Sequence, residues 1–292
     1  MRNWKRSLAL FGLGTLALGC GGDEALELDD PENVKVWATT ASALGVYMNV
    51  YQPVAVAGGH DSFVDPACPE TTDDGTTLGI EGGCTDAEGM RWIGRATIER
   101  SGGDLNLTFE DFGSFPQADD PNSRRGRAEI REIESDVHEF DIVLSHAGGV
   151  TTAFDYRGRV EGTYDTRTVW SGSGRVERRG SVPPLGAVSA TTVAQVVDDE
   201  ACSGQPASGT TTLKAGDETA GVTYDGATDC DAEARAHWSL DGEDRGTIDG
   251  IVCSVALPGA GTRGSAAALA ILGVLALAFG GRRRASVTRR HL

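Results

Sequence analysis

The chain has 292 residues, of which 40 are glycine, 39% are apolar and only 6% are aromatic. Glycine is nearly twice its usual share of roughly 7%, which argues against an all-helical bundle, and the modest apolar fraction excludes a polytopic membrane protein. There are 26 Lys and Arg against 43 Asp and Glu, a formal net charge of −17. Nucleic acid is therefore not expected as a partner, because phosphate binding needs a basic surface.

The first twenty residues have the pattern of a secretory signal peptide. Arg2, Lys5 and Arg6 precede an apolar run over residues 8–18, and Gly19 stands before Cys20. This pattern predicts a signal helix that is removed in the mature protein. The stretch Ala-Leu-Gly-Cys at 17–20 resembles the bacterial lipoprotein box, which implies that Cys20 is acylated. Cleavage without lipidation remains the alternative. We predict a flexible tether over residues 21–34.

The other end carries a second membrane signal. Residues 266–279 contain no charged side chain, and the apolar segment 265–281 has 17 residues, near the lower limit of roughly 17–25 for a membrane span. The arginines of the tail at 282–292 predict that this tail stays in the cytoplasm. A buried core helix is the alternative.

The C-terminal segment 253–284 also matches a known arrangement of residues. Cys253, a small-residue spacer at 254–264, an Ala/Leu helix and an arginine cluster follow one another. This order resembles the MYXO-CTERM sorting domain of myxobacterial surface proteins. The resemblance implies that Cys253 is a second site of processing and modification, and that the protein is fixed at the cell surface.

The residues between the two signals are strongly acidic. They hold all 43 acidic residues and 18 of the 26 basic ones, a net charge near −25. Such a charge keeps an exported protein soluble and repels anionic lipid and nucleic acid. It identifies no ligand.

Alternation of apolar and polar residues predicts an all-β body. Phe140, Ile142 and Leu144 fall on one face of a strand and Glu139 and Asp141 on the other. Similar alternation predicts further strands at residues 92–100, 104–109, 127–133, 151–157, 168–177, 220–224 and 234–240. Acidic-Gly pairs follow apolar residues at 80–82, 160–162, 224–226, 240–242 and 248–250, a hairpin signal. We expect an antiparallel meander or sandwich-like domain of about ten strands.

A weak internal repeat in the sequence suggests two β modules. The pattern Asp-x-Ala-Cys occurs at 65–68 and 199–202, and Cys84 and Cys230 each precede a tryptophan by eight residues. We place the modules at 35–180 and 185–253, with the boundary at the Pro183–Pro184 pair.

Six cysteines in an exported chain normally form disulfides. If Cys20 and Cys253 belong to the two anchors, the internal repeat predicts that Cys68 pairs with Cys84 and Cys202 with Cys230. The rival pairing joins Cys230 to Cys253. No cysteine pair has C-x2-C spacing, so we predict no zinc site.

Motifs for catalysis are absent from the sequence. There is no G-x-S-x-G, no H-E-x-x-H and no phosphate-binding glycine loop, and residues 171–174 (Ser-Gly-Ser-Gly) are interpreted as a bulge or a close backbone approach. His138 and His146 share a strand face about 27 Å apart and are interpreted as edge residues. Four Asp doublets, at 29–30, 73–74, 119–120 and 198–199, are interpreted as turns, not calcium sites.

These observations favour a non-catalytic cell-envelope lipoprotein with a structural or binding role, in which we predict no catalytic residue, metal or cofactor. Its partners would be the membrane and an envelope or extracellular ligand that the sequence does not identify. The alternative is a membrane-anchored extracytoplasmic hydrolase or carbohydrate-active enzyme that uses paired carboxylates.

Overall fold

A computed structural model describes residues 27–42, 46, 50, 65–116, 122–162, 167–198, 206–224 and 235–250. The predicted signal peptide, the linker, the C-terminal helix and the basic tail lie outside these residues. So do four of the six cysteines, Cys20, Cys202, Cys230 and Cys253.

The described residues include helix α1, Pro31–Thr40, and thirteen β-strands. The strands are β1 Glu70–Asp73, β2 Thr77–Glu81, β3 Met90–Ser101, β4 Asp104–Pro116, β5 Ser123–Glu134, β6 Val137–Ala147, β7 Val150–Gly162, β8 Arg167–Gly180, β9 Gly186–Asp198, β10 Pro206–Ala215, β11 Glu218–Tyr224, β12 Arg235–Leu240 and β13 Glu243–Asp249.

All thirteen strands belong to one antiparallel sheet in which spatial order equals sequence order. The all-β class and the antiparallel meander are thus confirmed, but the strand count exceeds the predicted ten. The sandwich expectation is replaced by a single sheet, because each strand pairs with its neighbours in sequence and none crosses to a second sheet. The eight strands predicted from alternation are all present as β3–β8, β11 and β12.

The five strands that alternation did not reveal have weak apolar patterns. β1 has four residues and β2 five, β13 has one buried side chain, and β9 and β10 carry Thr and Ala at buried positions where strands predicted from alternation carry Phe, Ile or Leu. These strands are stabilised by pairing with neighbouring strands that have clear apolar patterns, since the stability of a strand depends strongly on its context in the sheet.

The sheet continues without a break across the predicted module boundary. β8 and β9, on either side of the Pro183–Pro184 pair, are hydrogen-bonded neighbours from Arg167–Asp198 to Arg178–Gly186. Residues from the two predicted modules therefore lie in one sheet, and buried side chains from both belong to the same apolar core.

Helix α1 begins inside the segment predicted to be a flexible tether. Asp30 caps the helix by accepting a hydrogen bond from the Glu32 backbone N–H, and Pro31 occupies the first helical position. Leu28 and Val34 are fully buried. The tether prediction over 21–34 is therefore wrong for its last residues, because Leu28 and Val34 pack into the core.

Helix α1 lies against the inner face of the sheet, which is the face that carries the buried apolar side chains. It contacts β10 and β13, the Glu218 carboxylate on β11 accepts a hydrogen bond from the Leu28 N–H at 2.8 Å, and the Thr192 hydroxyl on β9 donates to the Ala41 carbonyl at 3.4 Å. The fully buried Trp37 belongs to the same core cluster as the strands. The helix therefore covers part of the apolar face that the later strands present.

The middle of the inner face is an aromatic cluster built over glycine backbone. Phe140 on β6 stacks on Trp170 on β8, with ring centroids 4.3 Å apart. On the intervening strand β7, Gly158 is paired with Phe140 on one side and with Gly172 of β8 on the other. A Cβ atom at Gly158 would stand 2.5 Å from Phe140 Cζ, and one at Gly172 would stand 2.7 Å from Tyr156 Cε1. The rings occupy the space that side chains at these two positions would need.

This packing explains the Ser-Gly-Ser-Gly stretch at 171–174. The register between β8 and β9 shifts between Trp170 and Gly172, so the predicted bulge is present. The predicted close approach is present as well, at Gly172.

The hairpin signal is confirmed between β12 and β13. It is not confirmed at 80–82, where β2 ends at Glu81 and β3 begins only at Met90, or at 160–162, which lies inside β7. Asp241 and Gly242, between β12 and β13, have φ of 51° and 85°. Both central residues therefore take the positive φ that a type I′ turn requires.

Cys68 and Cys84 form a disulfide across 16 residues of sequence, which is the pairing that the internal repeat predicted. Cys68 is buried and belongs to the apolar core, and Cys84 packs against it. The bridge ties the segment before β1 to the segment before β3.

We predict that Gly172→Ala destabilises the protein by roughly 1–3 kcal/mol. The new methyl group would press on the Tyr156 ring and stand 2.9 Å from the Arg157 carbonyl oxygen. Urea denaturation followed by circular dichroism measures the change. Gly148→Ala is the control, since its Cβ would meet only the Val150 carbonyl at 3.8 Å. Equal stability of the two variants would contradict the packing described.

We predict that the double variant Cys68→Ser, Cys84→Ser loses roughly 3 kcal/mol of stability, because a loop of this length no longer restricts the unfolded chain. The double substitution is preferred to a reducing agent, which would also act on the other four cysteines. Denaturation midpoints of the variant and the oxidised parent give the answer, and coincident curves would refute a stabilising bridge.

Candidate functional site

Two groups of polar side chains interrupt the apolar inner face of the sheet. The first, called here the hydroxyl chain, consists of Tyr156, Thr192, Thr211 and Tyr224. The second, called here the basic row, consists of Arg124, His146 and Arg178. The question for each group is which partners its members have, because buried polar groups normally need partners to offset their loss of water.

The hydroxyl chain links four strands through buried side chains. Tyr156 on β7 donates to Thr192 on β9 at 3.5 Å and lies 3.3 Å from the Gly172 carbonyl oxygen. Thr192 and Thr211 are 3.0 Å apart between their hydroxyl oxygens, and Thr211 and Tyr224 are 2.8 Å apart. Every hydroxyl in the chain therefore has at least one hydrogen-bond partner.

The hydroxyl chain is suited to holding strand register and unsuited to proton transfer at neutral pH. Burial raises the pKa of Tyr156 to about 12, even though its hydrogen bond with Thr192 acts in the opposite direction. A phenol of this pKa stays protonated at pH 7. Satisfied polar networks of this kind specify one arrangement of a core, because a slipped register would leave hydroxyls unpaired.

The basic row lies at one end of the inner face. In β5, burial alternates so that Arg124 shares a face with the buried Ala128 and Ile130. In the same way, His146 on β6 follows the buried Leu144, and Arg178 on β8 follows the buried Val176.

Strand pairing sets the three side chains at one level. Arg124 is directly opposite His146, His146 opposite Thr152, and Thr152 opposite Arg178. With neighbouring strands roughly 4.8 Å apart, the backbones of Arg124 and Arg178 are separated by roughly 14 Å.

Burial shifts the titration of the row. It lowers the pKa of Arg124 to about 10. It also lowers the pKa of His146 to about 4, with the positive charge of Arg124 as the second cause. His146 is therefore neutral at pH 7, and its Nε2–H donates to Asn122 Oδ1. The interpretation of His146 as an ordinary edge residue is wrong, because its side chain continues the inward face of β6.

Arg178 joins the row to helix α1. Its guanidinium carbon lies 5.9 Å from the centre of the Trp37 ring, and burial lowers its pKa. Within the part of the chain that the structure describes, Arg178 Nε and Trp37 Nε1 are both buried and have no hydrogen-bond partner. Two neighbouring N–H donors are thus left without acceptors, which is costly in a buried site.

The described carboxylates do not assemble on this face. Asp86 is buried, but its two oxygens accept hydrogen bonds from the Glu88 and Met90 backbone and from Trp92 Nε1. Asp73 and Asp74 border a groove of about 440 Å³ along β1–β3. Their pKa values are lowered chiefly by backbone N–H groups, of Gly75 for Asp73 and of Thr77 for Asp74.

The Asp doublets at 29–30 and 73–74 behave as cap and turn residues, whereas Asp198 is the last residue of β9 and pairs with Arg167 on β8. Asp30 caps α1, and Asp73 and Asp74 accept the N–H groups of the β1–β2 turn. Asp119 and Asp120 lie outside the described residues. Among the described residues there is also no group of three His, Cys, Asp or Glu side chains able to hold a metal ion.

Sequence reasoning missed the residues that now stand out. Arg124 lies three residues before the predicted strand at 127–133, yet the same alternation extended backwards places it on the inner face. Arg178 similarly lies one residue beyond the predicted strand at 168–177. For Trp37 there was no signal of its site, because its neighbour Arg178 is 141 positions away in the chain.

Comparison with known proteins adds no relative: no protein-family model, curated protein or solved structure matches this chain. Among the described helices, none is long and apolar enough to cross a membrane. The predicted membrane segment at 265–281 lies outside the described residues.

We predict that the protein loses stability as the pH falls from about 6.5 to about 4. The pKa of His146 is about 4 in the folded chain against an ordinary 6.5, so the unfolded chain binds the proton first and is favoured by acid. The shift corresponds to roughly 3 kcal/mol. In urea denaturation across this range, His146→Gln should lose less stability than the parent; parallel profiles would contradict the assignment.

Proposed function

We propose that this chain is an exported, non-catalytic β protein of the cell envelope, fixed at the surface and serving a binding or structural role. The observation that carries the proposal is the pair of membrane signals, at 1–20 and 265–281, on either side of a disulfide-braced acidic body. Disulfides form and persist in oxidising compartments outside the cytosol.

The anchors give the proposal its arrangement at the membrane. Cys20 is the lipidated N-terminus of the mature protein, and Cys253 marks the processed C-terminal segment. The net charge near −25 of the intervening residues suits a body held in water away from anionic lipid. The mature protein is then tethered at one or both ends.

A binding role is favoured over catalysis by the kinds of side chain on the inner face. They are hydroxyl groups engaged with one another and a row of cations, whereas hydrolysis of glycosides needs two carboxyl groups facing one bond. The described carboxylates Asp73, Asp74 and Asp86 are held by backbone N–H groups. These features support recognition of a ligand more than bond cleavage.

Mass spectrometry of the mature termini from the native host tests the proposal. We expect an acylated Cys20 as the first residue and a processed C-terminus near Cys253. We expect Cys20→Ser to move the protein out of the membrane fraction to a large extent, while Thr15→Ser in the same leader leaves its fractionation unchanged. A full-length chain with Met1 and free thiols, recovered from the cytosol, would overturn the proposal.

A further inference from the structure

The basic row is an unexpected feature of so acidic a protein. Its two arginines point to the inner face, although acidic residues outnumber basic ones by 43 to 26. Arginines are rarely buried unless something compensates their charge. Arg178 in particular calls for an explanation beyond packing, because its buried Nε–H has no hydrogen-bond partner among the described residues.

The arrangement around Trp37 indicates what is missing. Trp37 is fully buried, and its indole Nε1–H has no acceptor in the described residues. Arg178 stacks near this ring with its own Nε–H also lacking an acceptor. An indole N–H only donates hydrogen bonds, as does a guanidinium. An acceptor of negative charge would satisfy both.

The donor set selects the chemistry of that acceptor. The Nε–H and a terminal N–H of arginine form a planar fork whose spacing matches two oxygens of a carboxylate or phosphate. Arg178 is only half-buried, so its guanidinium can be reached from solvent while its Nε faces the core. Arg124, at the same level two strands beyond Thr152, adds a second positive charge to the same end of the face.

We propose that Arg178 and Trp37, supported by Arg124 and His146, form a binding site for the oxyanion group of a small ligand, a phosphate or a carboxylate. The inference deepens the binding role proposed above and rests on it. The ligand's oxygens accept from Arg178 Nε and Trp37 Nε1, and its negative charge offsets the positive charge of Arg178. His146 lies directly opposite Arg124 on the neighbouring strand and is held by its hydrogen bond to Asn122.

Titration of the purified full chain with anions tests the site. Sodium phosphate and sodium acetate are added separately at constant ionic strength, with chloride as the balancing salt, and binding is measured by calorimetry and by the thermal midpoint. We expect a saturable response to at least one oxyanion, because a ligand bound only by the folded state raises its stability. A response equal to that of chloride would overturn the proposal.

The two probes distinguish the source of the oxyanion. Tighter binding of phosphate indicates a phosphoryl-bearing ligand, and equal or tighter binding of acetate indicates a carboxylate. Either result supports the site. Neither result depends on where the protein is located, so a flat titration refutes the site alone, and recovery from the cytosol refutes the envelope proposal alone.

Arg178→Gln should weaken binding about tenfold or more, since each 1.4 kcal/mol of lost interaction is a factor of ten. Arg175→Gln is the matched control: it removes the same charge from the exposed face of the same strand and should leave affinity unchanged. Arg178→Lys keeps the charge but removes the fork, and should also weaken binding. Equal affinities for Arg178→Gln and Arg175→Gln would overturn the proposal.

Discussion

The close approach of aromatic rings to glycine backbone is the constraint on which the rest of the fold depends. Phe140 and Trp170 stack above strands whose residues at that level, Gly158 and Gly172, have no side chain. The absence of side chains at these two positions leaves room for the two rings to stack on each other. Thirteen strands in simple sequence order supply no second sheet, so this layer and α1 provide much of the described core.

Polar groups enter this core under two different conditions. The hydroxyl chain is internally satisfied, with Thr192 and Thr211 at its centre, and so it stabilises one register without requiring anything from outside. Arg178 of the basic row and its neighbour Trp37 are different, because each keeps a buried N–H donor that nothing in the described chain accepts. Buried polar groups that bond to one another need no ligand, whereas buried N–H donors without acceptors indicate that a ligand binds there.

Sequence patterns predicted those parts of the fold whose signals are local. Alternation around Phe140 and the Asp241–Gly242 turn identified strands and a hairpin correctly, because side-chain period and turn dihedrals are decided by adjacent residues. Helix α1 also had a local signal in Asp30, Pro31 and Glu32, which is typical of a helix start. It was overlooked because its glycine-rich and acidic surroundings suggested a tether.

Composition and order of residues by themselves determined the β class, the meander and the pairing of Cys68 with Cys84. Tertiary structure alone decided that one sheet contains all thirteen strands and that Arg178 meets Trp37. The physical reason is separation along the chain: α1 and β8 are brought together by burial of apolar surface, a non-directional force that no short motif records. The candidate site is formed where Trp37 of α1 and Arg178 of β8 come together.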